Sequence, residues 1–553
     1  MFVNRLPAIL AGALLSGCAS SALAADSARR PAPISLDTLK SATQTMSTDA
    51  FEGRAPTTAG EEKAVAFIAD QFRKAGLKPG NKGSWYQNVP LVENTASPSQ
   101  MTIGGGRTPL VFDYRKDFVA NTYQVQPRTE LAASELVFVG YGINAPERGW
   151  NDYAGLDVRG KTVVILVNDP DWQASDLNGR FGGKAMTYYG RWTYKYEEAA
   201  RQGAAGALIV HQTEPAAYGW NVVQSSWTGA QYNMDDPDNH MDQSKMVGWL
   251  TQDAAQRLFA ASGKDLGALV EAAKQPGFKA VPLGTNVSIR LDNQIKRQAS
   301  RNVIGVLPGA RRPDEYVIYT AHWDHLGRCD ADPSGDDICN GAVDNASGTA
   351  GLIALAEAHA KTGAADRSIV FVAVTGEESG LLGSQYYAEN PVYPLASTVG
   401  GVNMDSLSLA GDARDFVAVG GGKSELDTYL GRALGGLTVK PEPSPQAGYY
   451  YRSDHFSLAK KGVPMLYAKL GNDLVKGGTA AGEAWQTRYR AERYHGPNDE
   501  YDPTWDWSGA LHELQIYWQI GRDLATGSAW PNWNQGDEFR AIRDRSRSGA
   551  AGQ

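Results

Sequence analysis

Acidic and histidine residues of the kind that bind metals stand next to apolar, strand-like runs in the second half of this chain. The members of this set are His322, Asp344, Glu377, Glu378, Asp405 and His495. Imidazole nitrogens and carboxylate oxygens are ligands that zinc accepts. The set holds enough ligands for two metal ions and leaves one carboxylate for acid–base work. These residue types therefore indicate a two-metal hydrolase.

Strands that alternate with helices must carry these residues to one place. The pattern after Arg301 predicts strand cores and helices at residues 317–319, 349–360, 368–374, 400–404, 464–468 and 509–524. His322, Glu377 and Asp405 each follow a predicted strand, whereas Asp344 precedes a helix that is predicted to be amphipathic. Sites in open α/β sheets form outside the carboxyl ends of the strands. We therefore expect an α/β fold with a mostly parallel, mixed central sheet flanked by helices, and one site at its edge.

Each motif also has a purely structural interpretation when it is taken alone. Asp344 can cap a helix, and Glu377 can stand at a solvated helix start. His322 can belong to a capped turn, Asp405 can be a surface acid at a strand end, and His495 can be a loop histidine. The functional interpretation rests on their convergence at one edge of the sheet.

Composition narrows the class of protein. The chain has 553 residues, which is enough for two or three domains. Its 42% hydrophobic and 21% charged residues are typical of a soluble globular protein. The formal net charge of −8 argues against a general nucleic-acid binder, whose surface must be basic.

The N-terminus predicts export. Arg5 precedes an apolar run at 6–15 that is too short to span a bilayer as a mature helix. Two cleavage sites compete: residues 15–18 resemble a lipobox that would lipidate Cys18, and residues 22–24 form an Ala-x-Ala site. A chance cysteine in a discarded peptide is the third interpretation. We expect a periplasmic or outer-membrane-anchored bacterial lipoprotein, or else a secreted protein, with any membrane tether at Cys18.

Two further cysteines, Cys329 and Cys339, bracket a polar loop between proposed metal ligands. An even number of cysteines in an exported chain favours a disulfide. Closing this loop would stabilise the fold by roughly 3 kcal/mol in the chain-entropy model. The alternative is that both thiols bind metal.

Several motifs, in order and spacing, carry a resemblance to a known family. They are His-Trp-Asp-His-Leu-Gly at 322–327, Asn-Gly-Ala-Val-Asp-Asn-Ala-Ser-Gly at 340–348, Thr-Gly-Glu-Glu-Ser-Gly-Leu-Leu-Gly-Ser at 375–384, Asn-Met-Asp at 403–405, and Tyr-His at 494–495 followed by Asp499. The stretch resembles the M28 family of metallopeptidases, the co-catalytic zinc aminopeptidases and their relatives. The middle of the chain more faintly resembles a protease-associated (PA) domain, on its strand pattern and Gly-Lys-Thr-Val-Val-Ile-Leu at 160–166.

The resemblance implies a role for each metal ligand. Asp344 would bridge two zinc ions. His322 and Asp405 would complete one zinc site, and Glu378 and His495 would complete the other. Cobalt or manganese are alternative metals, since such ligands discriminate poorly between them.

Other residues would act on the reaction or support the ligands. Glu377 would be the general base that takes a proton from a metal-bound water, and Asp324 would orient His322. The oxyanion of the reaction needs a further donor. The candidates, each with core packing as its alternative, are Tyr449, Tyr450 and Tyr451. His455 is expected to be structural.

The resemblance implies an exported peptidase with peptide substrates, and an aminopeptidase above all. The alternative is a carboxypeptidase or dipeptidase for acidic C-termini, with Arg452 and Arg488 as possible carboxylate contacts. A non-catalytic binding protein and an acyl-transferring cyclase are less favoured, because no ligand is missing. The expected organisation is a lipoprotein-type signal peptide at 1–25, an N-terminal part of the peptidase domain at 34–130, a PA-like inserted domain at 131–290, the main part of the zinc peptidase domain at 295–530, and a polar tail at 531–553.

Overall fold

The computed structural model describes residues 33–550, with the side chain of residue 550 left aside. Its α-helices are α1 (Leu36–Met46), α2 (Ala59–Lys74), α3 (Trp192–Arg201), α4 (Thr213–Ala216), α5 (Trp220–Ser226), α6 (Gln252–Ala261), α7 (Leu266–Ala273), α8 (Gly348–Thr362), α9 (Leu382–Glu389), α10 (Leu426–Ala433), α11 (His455–Lys460), α12 (Gly478–Glu492), α13 (Ser508–Thr526) and α14 (Arg540–Ala550). Within this part of the chain, no helix is both long and apolar enough to cross a membrane.

The strands are β1 (Lys78–Pro79), β2 (Tyr86–Pro98), β3 (Met101–Gly104), β4 (Leu110–Phe112), β5 (Phe118–Asn121), β6 (Arg128–Phe138), β7 (Asn144–Ala145), β8 (Trp150–Asn151), β9 (Thr162–Leu166), β10 (Gly206–Val210), β11 (Ala230–Met234), β12 (Met246–Leu250), β13 (Val281–Leu307), β14 (Arg312–His322), β15 (Gly327–Arg328), β16 (Ile338–Cys339), β17 (Arg367–Val374), β18 (Thr398–Asn403), β19 (Asp415–Ala418), β20 (Thr438–Lys440) and β21 (Met465–Leu470).

The central sheet of the main domain is mixed and has a parallel middle. β17, β14, β18 and β21 pair in parallel in that order, and antiparallel β13 and β19 flank them. Every residue of β17 is buried. Helices cover both faces of such a strand, so it carries no polar alternation. The expected α/β class with a mostly parallel, mixed sheet is confirmed.

Helix α8 begins just after the loop that carries Asp344, and it lies deep in the main core. Its residues are buried almost all round, from Gly348 to His359. The sequence predicts an amphipathic helix here. The helix is present, but it has almost no exposed polar side, because α1, α2 and α13 all pack on α8. A helix enclosed in this way holds its N-terminal loop firmly in place.

A second unit with its own core lies between β2 and the middle of β13; we call it the inserted unit. Its strands pair in the order β5, β12, β10, β9, β6 and β13, with β3 and β4 at the far side of β13. Two apolar clusters lie on the two faces of this sheet. β2 and the 27-residue strand β13 run on from it into the main domain, where they remain paired.

The boundary of the inserted unit differs from the expected 131–290. Met101, Ile103, Phe112 and Phe118 share one core with Leu131 and later residues of the unit. β3 pairs with β13 and β5 pairs with β12, so these short strands find their partners far along the chain. Local pattern could not assign them, and the unit begins near residue 99.

The segment after 531 was expected to be a polar tail, and the structure packs it onto the main domain. Trp533 is fully buried, and Phe539 and Arg543 are nearly so. The Trp533 indole donates to the carbonyl of Gly462 at 2.9 Å, and Arg543 donates to the carbonyl of Thr398 at 2.8 Å. Spaced aromatic and arginine residues therefore anchor a segment whose overall composition is polar.

Candidate metal centre and active site

The strand ends of the parallel sheet deliver the predicted residues to one edge. His322 is the last residue of β14, and Asp405 follows β18 by two residues. After β17 the chain turns at Gly376, whose φ of +65° favours glycine, and then presents Glu377 and Glu378. Adjacent parallel strands end at the same edge, so their following residues converge.

Asp344 lies between two histidines from distant parts of the chain. Its Oδ1 is 3.4 Å from Nε2 of His322, and its Oδ2 is 3.4 Å from Nε2 of His495. His322 Nε2 is also 3.5 Å from Oδ1 of Asp405, and His495 Nε2 is 3.2 Å from Oε2 of Glu378. The Asp344 carboxylate thus faces two separate half-sites, each with one histidine and one further carboxylate.

The residues fit a pair of metal ions. Two groups of potential ligands in this site have all their ligand atoms within 4.8 Å, namely His322 with Asp344 and Glu378, and His322 with Glu377 and Asp405. Nε2 of His322 is buried and has no hydrogen-bond partner. Four clustered carboxylates in a buried site exceed the charge that three histidines can balance, namely His322, His495 and the His325 that bonds Glu378, so the site favours cations.

Electrostatics separates the two neighbouring glutamates. Burial, together with the carboxylates of Asp405 and Glu378, raises the pKa of Glu377 well above its usual value. Burial and Asp344 oppose ionisation of Glu378, yet His495 and His325 hold its pKa down to about 2. The surroundings in the fold alone thus favour the ionised form of Glu378 and disfavour that of Glu377.

The side chain of Asn345 forms hydrogen bonds with the segments that carry His322 and Asp405. Its side-chain amide donates to the carbonyls of His322 at 3.3 Å and Met404 at 3.1 Å. Its Oδ1 accepts from the backbone N–H groups of Gly348 and Ser406, each at 2.9 Å. The peptide bond between Asp344 and Asn345 is cis. One buried amide therefore connects the ends of β14 and β18 with the start of α8.

Asp499 holds the Asp344 loop from the other side. Its carboxylate accepts the backbone N–H groups of Val343 and Asp344 at 3.1 Å each, and the hydroxyl of Tyr489 at 3.3 Å. Asp499 is four residues after His495. The segment that supplies the ligand His495 therefore also holds the loop that supplies Asp344.

Arg54 supports the site from the N-terminal part of the chain. Its fully buried guanidinium donates to the carbonyls of Trp323 at 2.9 Å, Asn340 at 2.6 Å and Gly341 at 2.9 Å, and to that of Met46 at 2.6 Å. Burial lowers the pKa of Arg54 to about 10. This side chain fixes the loops after His322 and before Asp344 to each other.

Asp324 lies beside both His322 and Glu377. Its Oδ1 is 3.8 Å from Nδ1 of His322 and accepts the backbone N–H of Glu377 at 3.3 Å. The Nδ1 of His322 lies closer to the carbonyl of Asp324, at 3.2 Å. The residue is thus in contact range of the histidine that it was predicted to orient.

The structure does not bring the predicted tyrosine hydroxyls together with the ligands. Tyr450 donates to the carbonyl of Met465 at 3.4 Å, and Tyr451 donates to Glu538 at 3.0 Å, within an apolar cluster. Tyr449 is more exposed and packs on Arg452. His455 is fully buried between Tyr450 and Tyr467.

A different tyrosine stands beside the ligands. The ring of Tyr494 stacks on His495 with 3.9 Å between the ring centres, and it is 49% exposed. Burial of its hydroxyl and the nearby carboxylates of Asp344 and Glu378 raise its pKa. Its place directly before a ligand histidine could have marked it in the sequence.

The rim of the site carries a disulfide. Cys329 and Cys339 are bonded, with 6.0 Å between their Cα atoms; Cys329 directly follows β15, and Cys339 is the last residue of β16, which pairs with β15. The bond links the loop after His325 to the segment before Asp344. The proposed lipidation site, Cys18, lies outside the described residues.

Besides Tyr494, the sequence motifs gave no predicted role to several residues that support this site. His325 bonds Glu378 Oε1 through Nδ1 at 2.6 Å, and it belongs to the His-Trp-Asp-His motif. Asn345 likewise lies in a quoted motif. Arg54 gives no such signal, because it stands far from the other residues in sequence and is an arginine among many.

Comparison with known proteins identifies the class. Residues 302–519 match the model of peptidase family M28. This segment contains all six residues of the acidic and histidine set. It therefore belongs to peptidase family M28.

Three individual proteins illustrate the likeness. Aminopeptidase NAALADL1 of Mus musculus is 34% identical over 139 residues, which are 24% of this chain and 17% of that protein. The glutamate carboxypeptidase 2 homolog of Caenorhabditis briggsae is 33% identical over 138 residues, 24% of this chain and 16% of that protein. The solved structure of an aminopeptidase from Aneurinibacillus sp. strain AM-1 has a TM-score of 0.47 at 21% identity, covering 88% of this chain and 93% of that chain. The alignments span about a sixth of the two curated relatives.

Proposed function

We propose that this protein is an exported zinc aminopeptidase that removes N-terminal residues from peptides, with two zinc ions in its site. The observation that carries the proposal is the position of Asp344, whose two oxygens face His322 and His495 separately. A shared carboxylate between two half-sites is the arrangement that a pair of like-charged ions requires.

The residues divide into two sets of ligands. His322 and Asp405 would hold one zinc, Glu378 and His495 would hold the other, and Asp344 would bind both. When bound, the two ions would polarise the scissile carbonyl and lower the pKa of a water molecule to about 7. The match to peptidase family M28 supports zinc as the metal.

Glu377 would move the proton. Its carboxylate lies on the Asp405 side of the cluster, where it would take a proton from water and give it to the leaving amine. Asp324 accepts the backbone N–H of Glu377 and so fixes where this carboxylate is presented.

Tyr494 would stabilise the developing oxyanion. Its exposed ring stacks on His495, whose side chain is itself partly exposed. A hydroxyl there can donate a hydrogen bond to the carbonyl oxygen as charge develops. The hydroxyls of Tyr450 and Tyr451 are committed elsewhere.

Export and anchoring are part of the proposal. The N-terminal charge and apolar run support a secretory signal, and Cys18 supports a lipid anchor in the bacterial envelope. The disulfide between Cys329 and Cys339 suits an oxidising compartment.

A product analysis tests the activity. The purified full chain, loaded with zinc, would be incubated with one decapeptide in three forms: free, N-acetylated and C-amidated. We expect release of the first residue from the free and amidated forms and none from the acetylated form. Cleavage at the C-terminus of the acetylated form would show a carboxypeptidase instead. Removal of the metal with a chelator should abolish turnover. Zinc, cobalt and manganese would then be added separately to compare how far each restores it.

Substitution of the base tests the mechanism. Glu377→Gln should lower kcat by roughly 10²- to 10⁴-fold while the zinc content stays unchanged. Glu389→Gln, at an exposed position at the end of α9, is the matched control and should leave kcat unaltered. Full activity of Glu377→Gln would remove Glu377 from the mechanism.

A further inference from the structure

The two oxygens of the Glu378 carboxylate have different partners. Oε2 lies 3.2 Å from Nε2 of His495 and faces the metal-ligand cluster. Oε1 lies 2.6 Å from Nδ1 of His325, a histidine outside the proposed ligand set. An ionised carboxylate only accepts hydrogen bonds, so the imidazole of His325 is the donor. One oxygen of Glu378 is therefore available to a metal ion, and the other is occupied within the protein.

The bond between His325 and Glu378 is sheltered from water. The side chain of His325 is fully buried, and that of Glu378 is 8% exposed. Hydrogen bonds to a charged group are among the strong ones, and breaking one in a buried place leaves both groups without a substitute partner. Any rotation of Glu378 that turned Oε1 toward the cluster would have to break this bond. The fold therefore favours one orientation of the carboxylate.

The ring of His325 is fixed by the chain around it. Gly341 has a φ of +52°, and a Cβ atom there would lie 2.5 Å from two ring carbons of His325. The guanidinium of Arg54 donates to the carbonyl of Gly341 at 2.9 Å, and the carbonyl of Arg54 accepts the backbone N–H of His325 at 3.3 Å. Arg54 thus holds the glycine and the histidine against each other, so His325 has little room to follow a movement of Glu378.

This contact distinguishes His325 from the other histidines that are not proposed ligands. All 8 histidines of the chain lie in the part that the structure describes. His359 bonds the hydroxyl of Tyr319 at 3.0 Å, and His455 packs between aromatic rings without a hydrogen bond. Partners outside the metal-ligand cluster also engage His211, His240 and His512. His325 alone in this group bonds a proposed ligand.

The carboxylate on the other side of the cluster, Asp405, is not restricted in this way. Nε2 of His322 and Oγ of Ser406 both approach its Oδ1, at 3.5 Å each. No hydrogen bond from the described residues reaches its Oδ2. The two half-sites are therefore unequal, because Asp405 has a second oxygen to offer and Glu378 does not.

We propose that His325 is a positioning residue that keeps Oε1 of Glu378 away from the metal pair, so that Glu378 binds metal through one oxygen. The inference rests on the proposed two-zinc site and specifies how one half-site is built. That half-site would have three protein ligand atoms, namely Nε2 of His495, Oδ2 of Asp344 and Oε2 of Glu378. Zinc sites with three protein ligands keep a position open for water or substrate.

The open position would adjoin a residue that has a proposed role in the reaction. The ring of Tyr494 stacks on His495 with 3.9 Å between the ring centres. The half-site that accommodates the substrate would therefore be the one beside the proposed oxyanion donor. We expect loss of His325 to weaken substrate binding there, because the second oxygen of Glu378 would take the open position.

Two substitutions separate this role from packing. His325→Asn keeps an N–H donor close to the position of Nδ1 and reduces the volume of the side chain. His325→Leu keeps more of the volume and removes the donor. If His325 only filled space, the leucine variant would resemble the wild type more closely than the asparagine variant does. The proposed role predicts the reverse order.

Cobalt(II) in place of zinc reports the number of ligands in solution, because it absorbs visible light more strongly as that number falls. The wild type and the variants would be saturated with cobalt and compared. We expect the absorbance per bound cobalt of His325→Asn to match that of the wild type, and that of His325→Leu to be lower. His359→Leu removes a buried histidine that bonds Tyr319, and as the control it should leave the spectrum unchanged.

Crystal structures of the zinc-loaded proteins show the ligand atoms directly. In the wild type we expect Oε2 of Glu378, and not Oε1, within about 2.0–2.2 Å of a zinc ion. In His325→Leu both oxygens should bind. The kcat/KM for one unblocked peptide should fall by roughly 10- to 100-fold in His325→Leu, and His325→Asn should recover most of the loss.

The outcomes separate this inference from the proposed function. Both oxygens of Glu378 on one zinc ion in the wild type, a zinc ion bonded to His325, or an unchanged cobalt spectrum in His325→Leu would each overturn the role of His325. The wild-type crystal structure decides the question even where the leucine variant does not fold. A wild-type protein that binds no zinc and cleaves no peptide would contradict the proposed peptidase itself. Zinc binding and cleavage with a two-oxygen Glu378 would remove only this inference.

Discussion

Two buried groups of charged residues in the main domain differ in how they are balanced. In the group around Lys423, the ammonium bonds Asp537 and Glu538 at 3.0 Å each, and Tyr451 donates to Glu538. In the metal-ligand cluster, four carboxylates share three histidines, His325 among them, and Nε2 of His322 has no hydrogen-bond partner. In the first group both carboxylates bond the one ammonium, whereas in the second the carboxylates outnumber the histidines and the site favours added cations.

The difference shows how a ligand site can be told from a structural ion cluster. Both groups are buried and both shift the pKa values of their members, so burial and titration do not separate them. What separates them is whether donors, acceptors and charges are paired within the fold.

The largest expected effect follows from adding and removing metal. With free zinc about 1,000-fold above its dissociation constant, the folded protein should gain about 4 kcal/mol over the metal-free form. Asp344→Asn should lose most of this gain, because it weakens the ligand shared by both half-sites. Thermal unfolding with and without zinc, together with metal analysis, measures both. Equal unfolding temperatures for the wild type in zinc and in chelator would show that the cluster is not a metal site.

A smaller effect is expected from Lys423→Met. It leaves Asp537 and Glu538 without their cation, and we expect a loss of about 3 kcal/mol in the free energy of unfolding. This loss is at the low end of what removal of one partner from a buried ion pair costs. Burial and Glu538 already raise the pKa of Asp537 to about 6, so Asp537 can take up a proton when the ammonium is gone. Chemical denaturation of the zinc-loaded protein measures the loss.

Lys423→Met also tests whether the Lys423 group is independent of the metal-ligand cluster. Zinc content and kcat of Lys423→Met should match the wild type. Lys476→Met, which removes an exposed ion pair with Asp506, should change stability by less than about 1 kcal/mol. Loss of zinc from Lys423→Met would mean that the two charged groups are coupled and that the contrast between them fails.

The smallest effect separates two tyrosines, one from each region. Tyr494→Phe should lower kcat about tenfold, because a hydrogen bond to a developing charge is worth roughly 1.4 kcal/mol. Tyr450→Phe should leave kcat unchanged, because that hydroxyl bonds a backbone carbonyl beside Lys423. Steady-state kinetics on one peptide gives both values. An opposite ranking would return the oxyanion role to the 449–451 turn.

Much of the main domain could be predicted from sequence, because its signals are local. The run that became β17 is continuously apolar, and the ligands follow directly after strand ends. The convergence of His322, Glu377 and Asp405 follows from the geometry of a parallel sheet. Expectations of this kind need only short stretches of chain and one general rule.

The remaining features depend on pairs of residues that are far apart in sequence. Arg54 bonds carbonyls that come almost 300 residues later, up to 287 residues on at Gly341. β3 pairs with β13 and β5 pairs with β12, and no local sequence pattern indicates these partners. The expected boundary of the inserted unit was therefore placed too late in the chain.

The continuous strand β13 has a consequence for the order in which the chain can fold. β13 pairs with β6 in the sheet of the inserted unit, and with β2 and β17 in the sheet of the main domain. Neither sheet can be completed before β13 has been synthesised. Ribosomes add roughly 5–20 residues per second, so β2 is made roughly 10–40 s before this partner. Such long-range pairing makes folding slow and leaves strand edges open in the meantime. A chain cut before Val281 would complete neither unit, so the two units should fold and unfold together rather than as separable pieces.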